Sequence, residues 1–156
     1  MADVFLTRPI PEPGPTLLRE AGHRIVGNQE DRALGREELL KAVAGQQAIL
    51  CQLHDPIDET FMDAAGPSLR VLSQYAVGVN NIDVAAAEAR NITVCNTPGV
   101  LTDATADIAW CLLLGTARRV FEGDQDMRSG RFDGWKPNYL LGADVIGRTL
   151  AIVGAG

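Results

Sequence analysis

Short aliphatic runs return along the first hundred residues at a near-constant interval: residues 4–6, 24–26, 48–51, 70–73 and 92–95. The segments between them carry helical spacing and helical punctuation. Leu17, Leu18 and Ala21 precede Gly22, and Leu39, Leu40 and Val43 precede Gly45. Asp58 is placed to cap a helix bearing Phe61, Met62 and Ala65 that Gly66-Pro67 closes, and Asp83 to cap the alanine-rich stretch 84–89. Glu37, Glu38 and Glu59 sit where a helix dipole favours negative charge. A strand–helix–strand cadence forces crossover connections, hence a parallel sheet covered on both faces by helices, with strands apolar rather than alternating. The reading is an α/β fold: a small flavodoxin-like, doubly wound domain over residues 1–100.

The cadence stops after Cys95. Asn96-Thr97-Pro98-Gly99 reads as a turn, and a long helix is expected from about Asp103 with Thr102 as its cap. Residues 104–117 are apolar nearly all round, which predicts burial on more than one side, as at a seam between domains or subunits. Residues 122–147 show no clear period; they hold several glycines, Pro137, Trp135 and Tyr139. A lone loop does not bury such aromatics, so this segment reads as an arm that packs on a partner. Residues 149–153 read as a strand running into Gly154-Ala155-Gly156.

Charge and composition exclude several classes. Lys plus Arg is 14 against 20 Asp plus Glu, a formal charge of −6 without the basic cluster a nucleic-acid backbone demands. The longest apolar run, 108–114, falls well short of the roughly 20 residues that span a bilayer. No signal peptide is visible. The three cysteines, Cys51, Cys95 and Cys111, each lie in an apolar stretch and read as reduced core residues of a cytoplasmic protein. Two histidines, His23 and His54, are too few for a multi-histidine metal centre, and no metal site is expected.

Four places can carry chemistry. A strand entering Gly154-x-Gly156 is how a dinucleotide fingerprint begins, the first glycine for a tight turn and the second for close approach of a pyrophosphate; a plain glycine turn has the same appearance. The stretch 73–83, Ser-Gln-Tyr-Ala-Val-Gly-Val-Asn-Asn-Ile-Asp, lies at the carboxyl edge of the sheet, where the N–H groups of Val77 and Gly78 can nest a carboxylate or else form an ordinary turn. Leu53-His54-Asp55 reads as a solvated turn rather than a base or metal ligand. Thr105, in the first turn of the long helix, either contacts a ligand phosphate or nicotinamide or serves the helix alone.

At these residues the chain resembles the D-isomer-specific 2-hydroxyacid dehydrogenases, most closely the glyoxylate/hydroxypyruvate reductase branch. The matching stretches are Val4-Phe5-Leu6-Thr7-Arg8, residues 73–83, Val94-Cys95-Asn96-Thr97-Pro98-Gly99-Val100-Leu101-Thr102-Asp103-Ala104-Thr105-Ala106-Asp107, Gly134-Trp135 and residues 141–150. The resemblance implies a flavodoxin-like substrate domain over 1–100, then over 101–156 a linker helix, a dimerisation arm and the first strand of a Rossmann domain. It implies NAD or NADP as cofactor and a small 2-keto or 2-hydroxy acid as substrate. Val77 and Gly78 would hold the substrate carboxylate, Leu53 would line the pocket, and Trp135 would reach a partner's active site. Thr105, Gly154 and Gly156 would contact the cofactor, and a homodimer would form through 120–147.

The family's catalytic arginine, glutamate and histidine have no match here, and neither His23 nor His54 is the catalytic histidine. The expectation is therefore the N-terminal part of an oxidoreductase, truncated at Gly-x-Gly, fragmentary and inactive alone. The alternative is a non-enzymatic dimerisation or interaction module that keeps the substrate-domain fold.

Overall fold

The computed structural model describes residues 1–154 and divides into two compact units, the first running from Met1 to Val100 and the second beginning at Leu101. In the first unit β1 (Asp3–Leu6), β2 (Arg24–Gly27), β3 (Ala48–Cys51), β4 (Val71–Gln74) and β5 (Thr93–Cys95) alternate with α1 (Gly14–Glu20), α2 (Arg36–Ala42), α3 (Glu59–Ala65) and α4 (Val84–Ala89). The strands form one sheet in the order β2-β1-β3-β4-β5, and every pairing is parallel. This is the flavodoxin-like order, with the carboxyl ends of β1, β3 and β4 side by side.

The helices form where the punctuation placed them. Asp58 accepts a hydrogen bond from the Phe61 N–H at 2.9 Å to start α3, and Gly66, at φ 82°, ends it in a conformation that disfavours a side chain. Asp83 does the same for α4 through the Ala86 N–H, also at 2.9 Å. Phe5, Ile49, Cys51 and Leu72 project from one sheet face into a core with Leu39 and Val43, Phe61, Met62 and Ala65, and Ala86 and Ala87. Burying each large aliphatic or aromatic side chain contributes roughly 1.5–3 kcal/mol, so this face carries most of the unit's stability.

The opposite face corrects the expectation of two-sided cover. In β3 and β4, Ile49, Cys51, Leu72 and Gln74 are buried, while Ala48, Leu50, Val71 and Ser73 are half-buried, so the strands alternate. Helix α1 reaches that side through Leu18. An open apolar hollow of about 460 Å³ remains, bordered by Val4, Leu18, His23, Leu50 and Val71. In β1 both faces are covered, Val4 and Leu6 on this side being buried like Phe5 on the other, so the expected two-sided cover holds there and fails over β3 and β4.

In the second unit α5 (Thr102–Ala117) is followed by α6 (Val120–Arg128). Leu101 rather than Thr102 holds the cap position, because its carbonyl already accepts from the Thr105 N–H at 2.9 Å. Burial of α5 on several sides does not occur within this unit: Gly115 alone is buried, and Ile108, Trp110 and Leu112 are exposed. One short neighbouring helix has too little surface to cover it. Helix α6 occupies residues that read as aperiodic. Its signal is ionic, with Arg119 paired to Glu122 and Arg128 to Asp124, spacings that meet on a helix surface. No strand forms over 149–153; strand N–H and C=O groups need a neighbouring strand, and the described residues offer none there. Two cysteines also depart from expectation: Cys51 is buried, but Cys95 and Cys111 are exposed.

Candidate active site

The carboxyl ends of β1, β3 and β4 bring together Thr7, the loop 52–55 and the loop 75–83. In the second of these loops the backbone has an unusual division of labour. The Ala76 carbonyl accepts from the Thr97 N–H at 3.0 Å, the Val77 carbonyl from Asn96 Nδ2 at 2.8 Å, and the Gly78 carbonyl from Gln74 Nε2 at 3.3 Å. The N–H groups of Val77 and Gly78, by contrast, have no partner among the described residues. Three consecutive carbonyls are tied down and the donors are left open, which is what a backbone site for an anion requires. No atom lies within 4 Å of where a Gly78 side chain would start, so a ligand has free approach to this backbone.

Leu53 stands in the adjoining loop, 62% exposed, with Val77 41% and Tyr75 48% exposed beside the same sheet edge. They supply an apolar rim to a polar backbone. Arg8, the cation following β1, is engaged by Asp31, with Nε to Oδ1 at 2.6 Å.

Asp55 overturns the solvated-turn reading. It is 2% exposed, and its Oδ2 accepts from Thr7 Oγ1 at 2.5 Å and from the Gln52 N–H at 2.8 Å. A buried carboxylate must be satisfied by donors, and here it ties the end of β1 to the loop after β3. His54 is exposed, and its Nε2 stands 4.0 Å from Asp55 Oδ1. Below them burial, reinforced by the Asp55 charge, pushes the Cys51 thiol up to about 12, which removes it as a nucleophile.

Sequence reasoning missed Thr7, Asp55, Gln74 and Asn81 as a set. Part of the signal was available: Thr7 and Gln74 are polar at or just past the carboxyl ends of apolar strands, where only satisfied polar groups tolerate burial, whereas Asp55 and Asn81 lie further along the loops that follow. The other expected site residues belong to the second unit. Thr105 is exposed in the first turn of α5, Trp135 is 83% exposed, and Gly154 has φ 81°, the left-handed conformation a tight glycine turn uses. Gly156 lies outside the described residues. Among the described residues no group of acidic, histidine or cysteine side chains is arranged to hold a metal ion, and no helix is long and apolar enough to cross a membrane.

Residues 4–150 match the family model for the catalytic domain of D-isomer specific 2-hydroxyacid dehydrogenases. The chain belongs to this family. Among 2-hydroxyacid dehydrogenase relatives, the glyoxylate reductase of Thermococcus kodakarensis is 50% identical over 98% of this chain and 46% of its own length. That of Thermofilum pendens is 44% identical, again over 98% of this chain and 45% of its own. A crystal structure of a protein from Thermus thermophilus superposes with a TM-score of 0.86 at 42% identity, covering 91% of this chain and 45% of that one. A glyoxylate reductase from Paecilomyes thermophila superposes with a TM-score of 0.71 at 25% identity, over 92% and 45%. The chain thus spans about half the length of the 2-hydroxyacid dehydrogenases it matches.

Proposed function

We propose that residues 1–156 are the carboxylate-binding part, and the beginning of the dinucleotide-binding part, of an NAD(P)-dependent reductase of small 2-keto acids of the glyoxylate or hydroxypyruvate type. The observation that carries this reading is the loop 76–78, with its carbonyls held and the Val77 and Gly78 N–H groups open. Two N–H donors bind a carboxylate through charge-assisted hydrogen bonds, which are roughly twice as strong as neutral ones. Leu53 and Val77 offer the bound acid an apolar rim beside these donors. Identities of up to 50% with proteins named glyoxylate reductase support the substrate class.

The residues present fit a dinucleotide as far as they go. Gly154 has the backbone conformation of a phosphate-loop glycine, and Thr105 presents an exposed hydroxyl at a helix start. When bound, a reduced nicotinamide supplies the hydride. Asp55, committed to Thr7 and Gln52, is not free to give a proton to the keto oxygen. On this reading residues 1–156 bind and orient the acid rather than complete the reaction.

The test is to join residues 1–156 in frame to the remaining half of the Thermococcus kodakarensis glyoxylate reductase. The joined protein is expected to oxidise NADH or NADPH in the presence of glyoxylate, whereas residues 1–156 alone do not. Gly78→Pro, which deletes one donor in open space, is expected to raise KM about tenfold with a smaller effect on kcat, the signature of lost ground-state binding. Turnover by residues 1–156 alone, or a folded joined protein that reduces no 2-keto acid, would contradict the reading.

The second unit supports a homodimer through residues 120–147. Val120, Phe121 and Trp135 are exposed there, and Ile108 and Trp110 of α5 add to a surface too apolar to face water in isolation. A module that only dimerises is the competing reading; the open donors of the 76–78 loop favour the reductase.

A further inference from the structure

We propose that Asn81, braced by Gln74, is the positioning residue that holds the two loops of the carboxylate site in register. Asn81 Nδ2 donates to the Gln52 carbonyl at 3.0 Å and to the Asp55 carbonyl at 2.9 Å, so one amide spans from the second loop to both ends of the first. Its own Oδ1 accepts from Gln74 Nε2 at 2.7 Å. That same Nε2 lies 3.3 Å from the Gly78 carbonyl, and Gln74 Oε1 accepts from the Cys51 thiol at 3.2 Å. The Asn81 backbone joins in, its carbonyl accepting from the Ile57 N–H at 2.9 Å.

The chain of contacts is continuous: Cys51, Gln74 and Asn81, with branches to Gly78 on one side and to Gln52 and Asp55 on the other. Gln74 is buried at the end of β4, where its amide cannot find solvent partners. Every donor it and Asn81 possess in this network is spent on a carbonyl of a site loop or on each other. Such a network anchors Gly78 through its carbonyl and sets how far the Leu53 loop stands from it, while Asn96 on the Val77 carbonyl directs the Gly78 N–H of the shared peptide plane. Asn81 touches no substrate in this arrangement; it acts through Gly78 and Leu53. Neither residue is interchangeable with its acid, because an acid in this place brings a second acceptor to carbonyls that need a donor.

This inference rests on the carboxylate-binding reading of Val77 and Gly78, and one experiment separates the two. The ¹⁵N-labelled chain is titrated with sodium glyoxylate at constant ionic strength while amide resonances are followed in the wild type, Asn81→Asp and Gln74→Glu. In the wild type the Val77 and Gly78 resonances are expected to shift saturably. In each variant the dissociation constant is expected to rise at least tenfold while the Ile49 and Leu72 resonances of the sheet stay in place. Asn81→Asp is expected to regain part of its affinity relative to the wild type as pH falls and its carboxyl, once protonated, becomes a donor again. Recovery of affinity while the sheet resonances stay unmoved throughout is what a merely structural role would not produce. Variants that bind within twofold of the wild type overturn the positioning role alone. Loss of binding in both variants with collapse of the sheet resonances also overturns it, making the pair a folding element. A wild type whose 77–78 resonances ignore glyoxylate overturns the carboxylate reading, and the inference with it.

Discussion

Asp55 shows how much one buried polar side chain can organise. Its carboxylate oxygen satisfies the Thr7 hydroxyl and the Gln52 N–H together, the first of them fully buried. Asp55→Ala is expected to destabilise the first unit by about 3 kcal/mol, the cost of stranding donors that had a charged partner. Urea denaturation followed by circular dichroism measures this. Thr7→Val removes one donor and keeps the shape, so it should cost less than Asp55→Ala; equal or larger loss would show that packing, not hydrogen bonding, is what Thr7 contributes.

Among the elements, α3 rests on the clearest local device. Asp58 caps it through the Phe61 N–H and also receives both oxygens' worth of Arg36 Nη2, at 2.6 and 2.7 Å. The Arg36 guanidinium, and after it the Phe61 N–H, hold the Asp58 carboxyl below the usual carboxylate range. A carboxyl whose folded pKa lies below its unfolded one stabilises the fold above the unfolded value and loses that contribution as pH falls through the folded value. Asp58→Ala is accordingly expected to cost about 1 kcal/mol at pH 7, a typical capping loss. The difference between variant and wild type should shrink as pH falls below about 3.8, the ordinary carboxyl value. Thermal melts at pH 7 and at pH 3 check both, and a difference that persists unchanged at pH 3 would rule out an ionised cap. Helix α5 is the opposite kind of element: apolar in composition, yet with Gly115 alone buried, so its own unit stabilises it little through packing.

At the scale of the whole molecule the two units differ in kind. The first has a closed core; the second exposes Trp135, Phe121 and Ile108. Association is the physical outlet for such a surface. Sedimentation velocity of the chain at tens of micromolar is expected to show a dimer, and Trp135→Glu to weaken it at least tenfold by placing a charge in an apolar contact. A wild-type monomer at that concentration would remove the homodimer from consideration. Pairing would also slow amide exchange in α5 in a concentration-dependent way, which the first unit's sheet would not share.

The cadence of apolar runs, the caps Asp58 and Asp83 and the glycine stops were enough to read the parallel α/β order of the first hundred residues, because these signals act over a few neighbours and need no distant partner. The loop 73–83 could be singled out as a candidate site, or else an ordinary turn, for the same reason: its glycine and its place after a strand are local facts. Three things were decided only by tertiary structure. The sheet is fully covered on one face because helix placement, not strand composition, determines burial. Asp55, beside a histidine in an ordinary-looking turn, is buried because Thr7, some fifty residues away, supplies its donor. And Val77 and Gly78 present open N–H groups because Thr97, Asn96 and Gln74 hold the neighbouring carbonyls, an accounting that only contacts between distant segments can complete.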